Sequence, residues 1–152
     1  MVFRALRPEE IQSLRNLNLL FAEAFEDFES YQHNLPDDDY LRKLLARDNF
    51  IAMIAEEDGQ LAGGLAAYVL DKFEQNRSEV YIYDLAVAEP FRRRKIATRL
   101  IENLKGIARE KNAWVIYVQA DYEDEPAVRL YESLGIKEEV LHFDIPCAES
   151  TK

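Results

Sequence analysis

The sequence has little cysteine and no long apolar run, and each absence excludes a class of protein. One cysteine in 152 residues cannot form an internal disulfide, which indicates a reducing compartment. No apolar run is long enough to span a bilayer, and the N-terminal "MVFRALRPEE" lacks the apolar core of a signal peptide. We therefore expect a cytoplasmic protein, in which Cys147 of "IPCAESTK" is an incidental thiol.

Basic residues are outnumbered by acidic ones, 19 against 29, so the formal net charge is −10. A nucleic-acid partner is not expected, because phosphate backbones are bound by basic surfaces. The negative field would attract a cationic small-molecule substrate, although net charge also serves solubility alone.

Several familiar catalytic patterns are missing. Neither GxxxxGK[ST] nor GxGxxG occurs, so neither a P-loop nor a dinucleotide fingerprint is predicted. His33 and His142 are the only histidines, and no Cys, His or carboxylate set has metal-ligand spacing, so we predict no metal. No Ser/His/Asp or Cys/His nucleophile pair is evident, which favours direct transfer without a covalent enzyme intermediate. A structural role is favoured for His142, in the sequence "VLHFDI".

The hydrophobic content of 48% suits one domain over residues 1–152, with a loose tail from about 147. No repeat, low-complexity segment or linker divides the chain. Periodicity predicts strands at "VFRAL", on both sides of Asp58-Gly59, and at "EVYIYDLAV", "AWVIYVQA" and "EEVLHFDI". It predicts helices from Pro8 to about Tyr31, around 40–45, from 96 to 108 and at "DEPAVRLYESLG". The fold class is therefore α/β, an α+β mixed sheet with about four helices.

One stretch concentrates positive charge in this acidic chain. Within "EPFRRRKIATRL", residues 92–95 place three arginines and a lysine where a strand passes through a turn into an amphipathic helix. A helix N-terminus exposes unpaired N–H groups, and arginines add forked hydrogen bonds to phosphate oxygens. The turn is either a solvated loop or the binding site of a nucleotide-like anion.

The same residues resemble a known signature. "DLAVAEPFRRRKIATRLI" is similar to the coenzyme A motif of the GNAT superfamily of N-acetyltransferases, written [QR]-x-x-G-x-[GA] after a strand. Arg92 and Ala97 match, whereas Lys95 stands at the glycine position. Farther on, "DEPAVRLYESLGI" resembles N-x-x-A-x-x-x-Y-x-x-x-G-[FI], with Tyr131 in register and Asp124 at the asparagine position. From "YQHNLPDDDYL" to "HFDI", the chain resembles the small aminoglycoside 3-N-acetyltransferases of gentamicin resistance.

This resemblance implies a partly splayed sheet, acetyl-CoA as co-substrate and an aminoglycoside amine, at N3, as acceptor. The coenzyme would bind where the fourth and fifth strands part. The implied coenzyme-binding residues are Leu85, Ala86, Val87, Arg92, Arg93, Arg94, Lys95, Ile96, Ala97, Thr98 and Asp124.

Two residues are candidates for proton transfer. Asp84 interrupts the apolar run "YIYDLAV" just before the implied thioester site, which suits either a general base or a counter-ion for the amine. Tyr131 holds the motif position that would place a phenol near the coenzyme sulfur; alternatively, its ring only packs in the core.

Acidic residues around the expected cleft suit a polycationic acceptor. We predict that the substrate is bound by Asp84, Asp121, Glu123 and Asp144, whereas the run "DDD" at 37–39 also suits a helix N-cap. The alternatives are a polyamine, another small amine or a protein N-terminus as acceptor, or a non-catalytic acyl-CoA-binding protein. A homodimer is compatible with the superfamily.

Overall fold

The computed structural model describes residues 1–149 and divides the chain into two compact units. The first, Met1–Gln119, contains β1 (Val2–Ala5), α1 (Ile11–Ala24), α2 (Phe28–Gln32), α3 (Asp38–Leu45), β2 (Phe50–Glu57), β3 (Gln60–Asp71), β4 (Ser78–Val87), a 3₁₀ turn (Glu89–Phe91), α4 (Ile96–Glu110) and β5 (Ala113–Val118). The second unit begins at Ala120 and contains α5 (Glu125–Leu134). That residues 1–152 form a single domain stays a prediction. Of its tail, residues 150–152 lie outside the described part.

The five strands form one sheet in the order β1-β2-β3-β4-β5. Neighbouring strands are antiparallel except β4 and β5, which are parallel and joined through α4. The predicted α/β class and mixed sheet are confirmed. Asp58 and Gly59, both with positive φ, connect β2 to β3 as predicted, since such turns match the twist of a hairpin.

A β-bulge in β4 decides which way Asp84 points. Ala66 of β3 lies opposite Asp84, but Ala67 lies opposite Ile82, so that Tyr83 is the extra residue. Side chains alternate along a strand, so without the bulge Asp84 would share the face of Ile82, which is 1% exposed. The bulge moves the carboxylate to the other face of the sheet.

The two parallel strands separate beyond this bulge. Their pairing runs from Ser78–Ala113 to Ile82–Val118 and ends there, whereas β4 continues to Val87. Within the described residues, 83–87 therefore have a strand partner only on the β3 side. The splayed sheet expected between β4 and β5 is present.

Helices α1 and α4 each bury an apolar face. Leu17 of α1 and Leu100 and Leu104 of α4 are all fully buried. A Cβ atom on Gly64 of β3 would lie 2.5 Å from Leu17 Cδ1, so glycine allows α1 to pack directly on the strand backbone. This contact holds α1 beside the part of the sheet that carries Asp84.

The predicted helix from Pro8 to about Tyr31 is wrong at both ends. Helix α1 begins only at Ile11 and ends at Ala24, and α2 is a separate helix. The chain breaks at Glu26, whose φ is 52°, and Asp27 then caps α2 by accepting a hydrogen bond from Ser30 N. The apolar periodicity continues through the break, because Tyr31 of α2 packs against Phe21 and Phe25 at the end of α1.

Two predictions about strands are also corrected. The predicted buried strand "AWVIYVQA" is the edge strand β5, in which Trp114 is 56% exposed. The predicted last strand "EEVLHFDI" is absent, since residues 136–146 form neither helix nor strand. Phe143 there is 76% exposed. Alternating apolar residues favour an extended chain, but a strand also needs a neighbour for its backbone hydrogen bonds, which this segment lacks in the described chain.

Candidate active site

The Asp84 carboxylate and the Tyr31 hydroxyl form the central contact of the first unit. Tyr31 Oη donates a hydrogen bond of 2.6 Å to Asp84 Oδ1. Asp84 reaches this position because of the β4 bulge, and Tyr31 because α2 turns back after the break at residues 25–27. Asn18 of α1 holds α2 there by donating its side-chain amide to the Tyr31 carbonyl.

This pair lines a cavity of about 230 Å³. Aromatic and aliphatic side chains dominate its walls, among them Phe21, Leu35, Tyr40, Phe50 and Tyr68. Among the described residues that line it, Asp84 is the only carboxylate and Arg15 is the only cation. Arg15 is itself paired with Asp38 at 2.7 Å. The cavity therefore offers one unneutralised negative group to an amine with an apolar or ring-shaped body.

Burial changes the acid–base properties of the pair. Loss of water raises the pKa of Asp84 above its usual value, and the hydrogen bond from Tyr31 lowers it only in part. Burial and the nearby Asp84 carboxylate raise the pKa of Tyr31 well above that of a free phenol. Tyr31 therefore stays protonated as the donor, and Asp84 is a stronger base than a solvated aspartate.

The basic turn places its cations in different environments. Both terminal nitrogens of Arg94 bind Glu57, at 2.9 Å and 2.8 Å. Arg92 donates through Nε to the Val87 carbonyl at 3.3 Å. Arg93 forms no side-chain hydrogen bond or ion pair within residues 1–149. Arg94 thus closes the turn against β2, while Arg93 and the outer nitrogens of Arg92 face outward.

The backbone of the turn leads into an uncapped helix. Arg93 and Lys95 have φ values of 64° and 59°, the left-handed region that glycine adopts without strain. Lys95 precedes α4 and gives it no side-chain cap, so within residues 1–149 the N–H groups of Ile96, Ala97 and Thr98 have no acceptor. The Ile96 side chain is buried, so only its backbone can serve a ligand. A positive φ explains why the family motif has glycine where this chain has Lys95.

The turn and the strand together fit an extended ligand that carries a phosphate group. Within the described residues, Leu85, Ala86 and Val87 have strand partners on β3 only, which leaves backbone donors and acceptors for an extended ligand, apart from the Val87 carbonyl that accepts from Arg92. The N-terminal N–H groups of α4 and the Arg93 side chain lie at the end of that strand and fit a pyrophosphate.

Tyr131 and Asp124 belong to the second unit. Asp124 caps α5, because its carboxylate accepts a hydrogen bond of 3.3 Å from Ala127 N. Partial burial and the Asp124 charge raise the pKa of Tyr131 to about 12. Gly135 ends α5, as predicted, with its N–H bound to the Tyr131 carbonyl. The coenzyme role of Asp124 and the acid role of Tyr131 stay predictions.

The other predicted acidic residues occupy varied positions. Asp121, Glu123 and Asp144 are exposed residues of the second unit, and Asp144 forms a 2.8 Å contact with His142. In the first unit, Asp37 caps α3 by accepting from Tyr40 N, which confirms the N-cap interpretation of "DDD". The substrate-binding roles of Asp121, Glu123 and Asp144 stay predictions.

Sequence analysis missed Tyr31 as a site residue. Its aromatic ring fits the apolar periodicity of the first helix, and it packs against Phe21 and Phe25 at ring distances of 6.1 Å and 5.7 Å. Only its hydroxyl leaves this cluster and reaches Asp84, which lies 53 positions away in the chain. No local pattern signals that pairing.

A basic turn and an uncapped helix connect two parallel strands that separate at one end, which is a framework for binding a phosphorylated ligand. The chain belongs to the Acetyltransferase (GNAT) family, whose sequence profile matches residues 14–136. This family uses acetyl-CoA as its acyl donor. Among residues 1–149, no helix has the length and apolarity to cross a membrane, and no His/Cys/Asp/Glu group is arranged for a metal.

Solved structures share the whole fold. An aminoglycoside acetyltransferase, HMB0005, from an uncultured soil metagenomic sample is 55% identical, with a TM-score of 0.94 over 97% of this chain and 98% of that one. The aminoglycoside acetyltransferase meta-AAC0020 from such a sample, in complex with sisomicin, is 30% identical, with a TM-score of 0.89 over 97% and 96%.

The curated relatives that match part of the chain include enzymes named for another type of acceptor. The N-alpha-acetyltransferase of Sulfurisphaera tokodaii is 29% identical over 96 residues, which are 56% of this chain and 55% of that protein. The chain thus spans about half the length of this curated relative.

Proposed function

We propose that the protein transfers an acetyl group from acetyl-CoA to an amino group, at N3, of an aminoglycoside and so confers resistance in the cytoplasm. The observation that carries this proposal is the position of Asp84. Within the described residues it is the only carboxylate that lines the cavity, and it lies in the part of β4 that lacks a β5 partner. The 55% identity to an aminoglycoside acetyltransferase over nearly the whole chain supports the acceptor class.

The start of α4, the basic turn and the end of β4 would bind the acetyl donor. The N–H groups at the start of α4, with Arg92 and Arg93, hold the pyrophosphate of the donor, and the backbone of 85–87 binds its extended arm. A β4 N–H stabilises the negative charge that develops on the thioester oxygen. These contacts fix the acetyl carbon beside the cavity.

Asp84 would act on the acceptor. Its carboxylate first attracts the substrate ammonium and then takes a proton from it, directly or through water, so that the amine lone pair attacks the acetyl carbon. As the tetrahedral species collapses, the carbon–sulfur bond breaks, the nitrogen gives up its remaining extra proton to water, and the thiolate accepts a proton. Tyr131, which then regains its proton from water, is the proposed donor to the thiolate. Asp121, Glu123 and Asp144 would bind further ammonium groups.

A protein N-terminus is the second candidate acceptor. The relationship to N-alpha-acetyltransferases and the largely apolar lining of the cavity both favour it. A single α-amine beside an apolar side chain would use Asp84 equally well.

Thiol release from acetyl-CoA across a panel of amines tests the function. We expect release with gentamicin and sisomicin, and none with spermidine or an N-terminal peptide. NMR of the product should place the acetyl group on N3, and expression in a susceptible host should raise the inhibitory concentration of gentamicin. Release with the peptide alone would establish the second candidate, and no release with any amine would indicate a non-catalytic coenzyme-binding protein.

The basic turn gives a separate prediction for coenzyme binding. Arg92→Ala combined with Arg93→Ala should raise the acetyl-CoA dissociation constant by roughly tenfold or more, because charge-assisted hydrogen bonds are lost. Arg94→Ala should change it much less, since both terminal nitrogens already bind Glu57. Arg109→Ala, at the other end of α4, is the matched control. Calorimetric titration measures all of these variants, and an unchanged constant in the folded double variant contradicts the assignment.

A further inference from the structure

We propose that Tyr31 is a positioning residue for proton transfer: its hydroxyl binds Asp84 Oδ1 and thereby leaves Oδ2 as the oxygen that accepts the proton from the acceptor amine. This inference rests on the proposed role of Asp84 as base. Tyr31 itself gains and loses no proton.

The contacts around Tyr31 restrict the position of its hydroxyl. Its ring is packed against Phe21 and Phe25, and its backbone carbonyl is held by Asn18. The 2.6 Å contact to Oδ1 is the only side-chain hydrogen bond of Asp84 within residues 1–149. The hydrogen bond to Oδ1 fixes the orientation of the carboxylate, so Oδ2 points in one direction. The side chain is then already ordered before the reaction, and the entropy cost of ordering it does not add to the barrier.

The other titratable and charged groups around the cavity do not replace this contact. Arg15 of α1 is engaged by Asp38 and the Pro36 carbonyl. Tyr40 of α3 and Tyr68 of β3 line the cavity but form no side-chain hydrogen bond to Asp84 within the described chain, and Tyr83 of β4 is mostly exposed. Burial raises the pKa of Asp84, and Tyr31 alone opposes that rise.

Tyr31→Phe removes the hydroxyl and keeps the ring, so it tests the contact without opening a cavity. We expect kcat to fall by about tenfold with little change in the KM for acetyl-CoA. Without the hydroxyl the charged form of Asp84 is less favoured, so the acidic limb of the kcat/KM profile should move to higher pH. The ratio of parent to variant kcat/KM should therefore be roughly tenfold larger at pH values below the pKa of Asp84 than at pH values above it.

Two comparisons separate positioning from a general structural effect. Tyr117→Phe is the same change on β5, where the hydroxyl has no side-chain partner in the described residues, and it should leave the profile unchanged. In an Asp84→Asn background, Tyr31→Phe should cause almost no additional loss, because it acts through the missing carboxylate. Full additivity of the two substitutions would overturn the proposal.

The contact between Tyr31 and Asp84 can be tested independently of the proposed function, by NMR titration of the Asp84 carboxyl in the protein without substrate. Tyr31→Phe should move the Asp84 titration to higher pH whether or not the protein acetylates aminoglycosides. If the panel of amines gives no thiol release but the titration moves, the proposed function fails and the contact stands. An unmoved titration in the folded variant overturns the contact itself.

Discussion

Asp84→Asn should lower kcat/KM for an aminoglycoside by at least about 100-fold, mainly through kcat, as expected for loss of a positioned general base. Asparagine keeps the size of the side chain and can still accept the hydrogen bond from Tyr31, so the change removes charge and basicity alone. The residual rate should recover at higher pH, where more of the substrate amine is already neutral. Steady-state kinetics between pH 6 and about 9.5 would measure both effects.

The same substitution should make the fold more stable at neutral pH. Burial raises the pKa of Asp84, so the unfolded chain ionises this group at a lower pH than the folded chain does. The free energy of unfolding therefore decreases as the pH rises from the pKa of Asp84 in the unfolded chain to its pKa in the folded chain. It stays lower at all higher pH values. Asparagine carries no such penalty. A higher melting temperature together with a lower kcat would exclude unfolding as the cause of the lost activity.

A matched change elsewhere on the sheet is the control. Asp71→Asn, at the exposed end of β3, should change neither the rate nor the melting temperature measurably. If Asp84→Asn instead raises KM and leaves kcat near that of the parent, Asp84 is a counter-ion. A water chain or another carboxylate would then have to carry the proton.

Many of the strands, turns and helices could be predicted from the sequence, because each depends on residues that are close together in the chain. The hairpin turn at Asp58-Gly59, the amphipathic face of α4 and the strand before the basic turn each follow from residues close in sequence. The basic turn was recognisable because its charges are contiguous. Even there, the pairing of Arg94 with Glu57 required the fold, since 37 positions separate them.

The features that define the acceptor cavity are not local. The bulge at Tyr83 depends on the register between β3 and β4, and it alone turns Asp84 toward the cavity. Tyr31 looks like one more apolar position until α2 separates from α1. The predicted strand at 138–145 failed for the same reason, because strand formation depends on a partner that the segment itself does not encode.

Tyr131→Phe should lower kcat by roughly 10²–10⁴-fold and barely change acetyl-CoA binding, if Tyr131 protonates the departing thiolate. Phenylalanine keeps the ring and removes only the proton. With a pKa of about 12, the phenol is fully protonated at the pH of any ordinary assay, as a donor must be. Tyr122→Phe, a change of an 81% exposed tyrosine in the same unit, should have no effect.

The leaving group provides the sharper test of this role. A thioester whose thiol is more acidic than that of coenzyme A leaves as a weaker base and needs less help from a proton donor. The difference between the parent and Tyr131→Phe should therefore shrink with such a donor, whereas a packing defect would slow both donors equally. Near-normal turnover of acetyl-CoA by the variant would limit Tyr131 to packing within its unit. The thiolate would then take its proton from water, which is a sufficient acid for so weak a base.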